Sequence, residues 1–145
     1  MGAEHVLNTA DESSPHYTAD VAASIRELNG GALADRCIVG TASVAACQEA
    51  LEVSGTGAWI VYMGLSGPED VVHLPLLASL VQDKTIAFSW LYPNQWPKTI
   101  RLLETGIVNT ERLITHSGPL SDIQAAIAQV SAREDGVIKY IVRPG

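Results

Sequence analysis

At 145 residues, 47% apolar and 17% charged, the chain has the make-up of one soluble globular domain, which excludes a disordered, collagenous or fibrous protein. Nine basic against sixteen acidic residues give a formal net charge of -7, which repels phosphate backbones and anionic lipid, so nucleic acid and membrane are excluded as partners. Cys37 and Cys47 lie in apolar segments with no CxxC and no His at ligand spacing, no targeting segment or membrane span is visible, and both read as reduced thiols of a cytoplasmic protein.

The first element is a short strand at 5–8, which begins so close to Met1 that the chain is expected to start inside a fold. A polar loop at 9–17, broken by Ser13, Ser14 and Pro15, leads to a helix with Val21, Ile25 and Leu28 at i, i+4 and i+7. Thr18 can cap it and Asn29-Gly30-Gly31 stops it. A compact apolar strand follows at 36–39, then a helix capped by Thr41 or Ser43, with Val44, Cys47 and Leu51 on one face and a stop at Ser54-Gly55. Residues 58–63 are almost continuously apolar, as in a strand covered on both faces, so the sheet is expected to be parallel. After a Gly/Pro/acid loop at 64–70, residues 71–81 fit either a short helix or irregular structure, and a further strand opens at Thr85 and ends at Trp90. Asn94 then caps a helix with Trp96, Ile100 and Leu103 as its core stripe, ended by Gly106. An extended piece at 113–116, a helix opened by the capping box Ser121-Asp122-Ile123-Gln124, and a last strand at 137–142 close the chain. Strands alternating with helices of about ten residues make an α/β protein with right-handed crossovers, and the parallel rhythm ends near Leu91.

Ligands of open parallel sheets sit beyond the carboxyl ends of the strands. Three loops therefore qualify: Gly40-Thr41-Ala42-Ser43, Met63-Gly64-Leu65-Ser66-Gly67 and Ser89-Trp90-Leu91-Tyr92. Other chemistry is missing. Gly55-Thr56-Gly57 lies on the helix-to-strand side, where it makes a turn and no phosphate cradle, and no G-x-S-x-G elbow is present. His116 has no nucleophile or orienting acid beside it, and His5, His16 and His73 fall into no metal-ligand spacing, so neither a catalytic residue nor a metal ligand is assigned.

Laid out in this order, these residues resemble the C-terminal part of the zinc-type medium-chain alcohol and polyol dehydrogenases, sorbitol dehydrogenase among them. Gly2-Ala3-Glu4-His5-Val6-Leu7-Asn8 is similar to the family's G-A-[DE]-x-V-[IL]-N, Ile25 through Gly31 and on to Asp35 to its helix-Gly-Gly-Asp passage, and 55–65 to G-x-G-x-x-V-x-x-G-[LM]. Trp90-Leu91-Tyr92-Pro93-Asn94-Gln95-Trp96-Pro97 resembles the polyol branch's F-R-Y-x-N-x-[WY]-P, Leu113-Ile114-Thr115-His116 its L-I-T-H, and Gly136-Val137-Ile138-Lys139 its closing G-x-x-K.

The resemblance implies a partial Rossmann fold: residues 1–90 as the second part of an NAD(P)-binding domain, a doubly wound parallel sheet lacking its first two strands, and 91–145 as the returning segment of a catalytic domain. It implies a coenzyme, NAD or NADP, held in a partial site by Gly40, Thr41, Met63, Gly64, Leu65, Trp90, Leu91 and Tyr92, with Tyr92 also at the substrate. The family's reaction is hydride transfer from a secondary alcohol to give a ketone, with a zinc ion polarising the alkoxide. The glycine-rich loop, the ribose-binding acid and the zinc ligands precede the matched region in the family and have no counterpart in this chain. Where the polyol branch has Arg, Leu91 stands, and an isobutyl group makes none of a guanidinium's hydrogen bonds.

In the 3-2-1-4-5-6 strand order the strands at 5–8 and 36–39 would lie roughly 14 Å apart, with nothing between them. The expectation is thus a fragment or remnant of an NAD(P)-dependent alcohol or polyol dehydrogenase, inactive alone, completed by an N-terminal half or paired with its own twin through the strand from Thr85 to Trp90. The alternative is a non-catalytic dimerisation module on the same scaffold.

Overall fold

A carboxylate opens the first regular element. In the computed structural model, which describes residues 2–91 and 93–144, Asp20 Oδ1 accepts from Ala23 N at 2.8 Å and starts α1 (Val21–Leu28). Asp20, not Thr18, is therefore the cap; Thr18 instead bonds the Ser24 hydroxyl at 2.7 Å and holds the chain that enters the helix. Past the helix, Gly30 and Gly31 take left-handed φ of 60 and 90°, and Gly31 N donates to Arg26 O.

The expected strand at 5–8 is not formed. Asn8 makes one isolated bridge to Tyr17, and its side chain accepts from Ala10 N and Asp11 N in a tight turn. The reason is pairing: a strand exists only beside another strand, and this segment has found only its own loop.

The sheet follows. β1 (Ala34–Val39), β2 (Ser54–Tyr62) and β3 (Thr85–Phe88) pair in parallel in the order β1-β2-β3. Gly55-Thr56-Gly57 lies within an irregular start of β2, where the register jumps between Ala34 and Arg36. α2 (Val44–Glu52) crosses from β1 to β2, capped by Ser43, whose hydroxyl accepts from Ala46 N at 3.3 Å. Two side chains seal its last turn, where carbonyls lack helical partners: Ser54 Oγ and Lys84 Nζ both donate to Leu51 O. The ambiguous stretch contains a short helix, α3 (Leu76–Val81).

Alternation along the strands divides the sheet into unequal faces. Cys37, Val39, Ile60, Tyr62 and Ile86 point to the side where α2 lies, and with Ala46, Cys47, Ala50, Leu51 and Val72 they form the core. Ile60, at the centre, is 0% exposed, a burial that contributes about 1.5–3 kcal/mol. The opposite face carries Ile38, Val61 and Ala87 in one register row, with Arg36, Trp59 and Thr85 in the next. Among the described residues it has no such cover: Ile38 is 73% and Trp59 50% exposed. The four large apolar residues of α3, Leu76, Leu77, Leu80 and Val81, are exposed as well.

The chain clusters into two units, Gly2–Tyr92 and Pro93–Gly145. In the second, α4 (Trp96–Glu104), β4 (His116–Pro119), α5 (Ile123–Ala132) and β5 (Tyr140–Arg143) follow one another, and β4 pairs with β5 in parallel. A 3-10 turn, Pro93–Gln95, precedes α4, so that Gln95 and not Asn94 holds its cap position. β4 starts at the end of the extended piece expected at 113–116, because Glu111–Leu113 turn as a 3-10 helix. The capping box does not close, since Ser121 Oγ donates to Asp122 Oδ1 at 2.9 Å. β5 is shorter than the strand expected at 137–142 because Glu134–Gly136 turn first. Trp96, Ile100 and Leu103, expected as helix core, are exposed, and Ala126 is the one buried apolar residue among those described in this unit.

The two sheet faces make a direct contrast. Ile60→Ala is expected to cost about 2–5 kcal/mol in a urea titration, whereas Ile38→Thr on the uncovered face should leave stability within about 0.5 kcal/mol. Similar losses for both would mean that the second face is covered.

Candidate functional site

The three strand-end loops meet, and backbone hydrogen bonds hold them together. Val39 O, the last carbonyl of β1, accepts from both Met63 N at 3.1 Å and Gly64 N at 3.2 Å. Tyr62 O, the last of β2, accepts from Ser89 N at 2.9 Å beyond β3. Each loop leaves its strand tied to the next one.

Gly64 carries the tightest of these approaches. A Cβ built there would fall far inside contact distance of the Thr41 carbonyl and 2.9 Å from Ala42 N. The residue is glycine because two backbones touch at that point. Gly40 has open space around it. The next loop is held by Asp70, whose carboxylate accepts from Gly67 N at 2.7 Å while Asp70 N donates to Gly67 O.

Beside these strand ends lies a cavity of about 470 Å³, within the size range of small-molecule sites. Of the loop residues singled out from the sequence, it brings Met63, Gly64, Ser66, Ser89 and Trp90 together along its wall. Thr41 backs onto Gly64, and neither it nor Gly40 is among the lining residues. Leu65 and Leu91 are exposed and outside the lining, and Leu91 has a left-handed φ of 29°. Tyr92 lies outside the described residues.

Sequence reasoning missed the rest of the wall: Cys47, Tyr62, Asp70, Val71, Val72 and Phe88. Tyr62 and Phe88 pack ring to ring, centroids 5.7 Å apart. Their signal was strand parity, because Tyr62 is two residues from buried Ile60 and directly opposite Phe88 in the ladder.

Neither Tyr62 nor Cys37 is poised to give up a proton at neutral pH. Burial, followed by the neighbouring thiols of Cys47 and Cys37, pushes the Tyr62 phenol above its ordinary value, and its hydroxyl donates to Cys47 O at 3.0 Å. Burial likewise raises the Cys37 thiol, against the pull of Lys84, and lowers the Lys84 ammonium. At neutral pH the phenol and the thiol keep their protons, so Tyr62 is a wall and Cys37 a core residue. His116 is occupied locally: its Nδ1 lies 2.9 Å from the Thr115 hydroxyl, which also accepts from Ile138 N, and its ring stacks on Tyr140. Among the described residues no three His, Cys, Asp or Glu side chains gather as metal ligands. Zinc does not fit the described residues, and no chemical step is routed through it here.

The zinc-binding dehydrogenase family matches residues 1–105. L-arabinitol 4-dehydrogenase of Aureobasidium melanogenum is 28% identical over 131 residues, taking in 88% of this chain and 34% of its own length. Rat sorbitol dehydrogenase is 28% identical over 143 residues, 99% of this chain and 38% of its own. In structure, the chain resembles a short chain alcohol dehydrogenase from E. coli CFT073 complexed with NADH, with a TM-score of 0.73 at 21% identity over 87% of this chain and 37% of that one; at this identity the likeness is one of fold. The chain thus spans a little over a third of the length of the relatives it matches.

The welded loops predict a sharp difference between two glycines. Gly64→Ala should lower the urea midpoint by the equivalent of about 2 kcal/mol or more, because backbone has to move, whereas Gly40→Ala should change it by under about 1 kcal/mol. Equal effects would show that the Thr41–Gly64 contact does not carry the loop geometry.

Proposed function

Since this chain belongs to the zinc-binding dehydrogenase family, we propose that it supplies half of a nicotinamide coenzyme site, and that as a separate chain it is an inactive part of an alcohol or polyol oxidoreductase. The observation that carries this reading is the stitching of the three strand ends: Val39 O to Met63 and Gly64, and Tyr62 O to Ser89. It presents backbone and mostly uncharged side chains, with Asp70 as the one charged residue on the cavity wall, at the edge where coenzymes lie on such sheets. No Lys or Arg lines the cavity, so these loops offer the pyrophosphate no cationic side chain, and the rest of its grip would come from elsewhere.

When bound, the coenzyme would accept hydride from the alcohol carbon. The residues of this chain would position it: Met63 and Gly64 from the second loop and Trp90 from the third, with Thr41 buttressing Gly64 from behind. Tyr62 and Phe88 would keep water from that side. Metal ligands and phosphate contacts would come from a complementing N-terminal segment, seated against the face that carries Ile38 and Trp59. The reading assigns the protein to the cytoplasm, supported by the free thiols of Cys37 and Cys47 and by the lack, among the described residues, of a helix long and apolar enough to cross a membrane.

A second reading, a non-catalytic interaction or dimerisation module, draws support from a different observation: the exposed leucines of α3 and Phe88, 82% exposed at the end of β3. Self-pairing would then run through the outer edge of β3.

Fluorescence titration separates the two. NADH is expected to bind the 145-residue chain weakly, and a polyol panel with NAD, NADP and added zinc should give no turnover. Addition of a separately produced N-terminal part of a relative, with its glycine-rich loop and zinc ligands, should tighten NADH binding at least tenfold. Silence toward NADH together with a concentration-dependent dimer in sedimentation would favour the module, and clear turnover by the chain alone would overturn the assignment of inactivity.

A further inference from the structure

A second cavity lies at the opposite end of the sheet, where the strands begin. Leu33 precedes β1, Ser54 opens β2 and Lys84 precedes β3, and all three line a space of about 590 Å³. It lies wholly within the unit Gly2–Tyr92 and shares no lining residue with the cavity at the strand ends. Its wall is held in place by side chains. Gln48 of α2 clamps the chain that leads to α3, since its Nε2 donates to His73 O at 3.1 Å and its Oε1 accepts from His73 N at 3.0 Å. Lys84 Nζ donates to Leu51 O and ties the start of β3 to the last turn of α2.

The charge on this wall is opposite to that of the chain. The protein carries -7, yet two of its nine basic residues, Arg26 and Lys84, line the cavity against a single carboxylate, Glu52. Neither cation is in an ion pair: among the described residues Arg36 and Asp35 form the one salt bridge, at 3.9 Å. That bridge also engages Asp35, which shares an adjoining hollow with Arg26. Lys84 spends one N–H on Leu51 O and has two left. Burial lowers its ammonium, a cost that an anion beside it would offset. The rest of the wall is amphipathic: Leu33, Leu74, Pro75 and Ala78 give apolar surface, and Ser79, Gln82 and His73 add hydrogen-bonding groups.

Two cations against one carboxylate leave a place for one negative charge. A dianion would bring a second charge toward Glu52, where it is repelled. A carboxylate, by contrast, is planar and can take two parallel hydrogen bonds from a guanidinium such as that of Arg26. We propose that this cavity is a second binding site, separate from the coenzyme edge, for a small organic monoanion: a carboxylate whose head meets Arg26 and Lys84 and whose aryl or short alkyl body rests on the leucine and proline surface. The inference stands apart from the oxidoreductase reading and is tested without coenzyme.

The test is an amide NMR titration of the 145-residue chain with benzoate, benzamide and inorganic phosphate as probes, repeated on Arg26→Gln and Glu52→Gln, both exposed positions. Benzoate should shift the amides of His73, Leu74, Ser79 and Gln82 and bind more tightly than benzamide or phosphate by about tenfold or more. Arg26→Gln, with its circular dichroism spectrum unchanged, should weaken benzoate by about fivefold or more, and Glu52→Gln should strengthen phosphate by about threefold or more. Benzamide or phosphate binding as well as benzoate, amide shifts that are absent or confined to Met63, Gly64 and Trp90, or indifference to either substitution would each overturn the proposal.

Discussion

A parallel sheet joined by helical crossovers needs cover on both faces, because its strands are apolar on both. Here α2 covers one face and packs its own Leu51 with Ile60 of the sheet in the core, while Ile38 and Trp59 stand on the other in contact with solvent. Burial of each such side chain contributes about 1.5–3 kcal/mol where a neighbour is available, and on this face that contribution is not realised. The outer edge of β1 has the same character, since it stands at the end of the sheet with backbone groups aimed outward. The segment before α1 is affected too: having no strand beside it, it closes on itself through Asn8 and Tyr17.

The candidate site depends on the covered face. β1 and β2 are fixed by the core under α2, so their last carbonyls are fixed as well, and Val39 O and Tyr62 O can each hold the following loop. Gly64 permits the backbone contact with Thr41 that completes the weld. A site made of backbone at strand ends can hold and orient a planar ligand, and the one charged side chain on its wall, Asp70, is tied to Gly67 N through one carboxylate oxygen. Chemistry on that ligand would need groups brought from elsewhere, which is why half of a coenzyme site and an uncovered sheet face belong to one interpretation.

Much of this was legible in the sequence, for physical reasons that can be named. The continuous apolar run around Ile60 marks a strand inside a parallel sheet, and the stripe of Val44, Cys47 and Leu51 marks the helix that covers it. The strand ends alone point to the loops that carry Met63, Gly64 and Trp90, and equally to Gly40, Thr41, Leu65 and Leu91, which do not line the cavity. What failed was whatever depended on a partner. The strand at 5–8 has the right residues and no neighbour, and the stripe of Trp96, Ile100 and Leu103 has the right period and is exposed. Local pattern tells which face wants burial, not whether a surface exists to bury it. Caps shifted by one or two residues, from Thr18 to Asp20 and from Asn94 to Gln95, because several residues near each helix start can accept or turn and only backbone geometry chooses among them. Tyr62 and Phe88 escaped notice because their role comes from the register between β2 and β3, which no single strand specifies.

The uncovered face reports on itself through Trp59. The chain has three tryptophans, at 59, 90 and 96, so a Trp90→Phe, Trp96→Phe variant leaves Trp59 as the one indole fluorophore. In the chain alone its emission should be that of a solvated indole and readily quenched by iodide; on addition of the complementing N-terminal segment it should shift to the blue and become protected. Emission already blue-shifted and protected in the isolated chain, and unchanged by the segment, would contradict the claim that this face waits for the rest of an oxidoreductase.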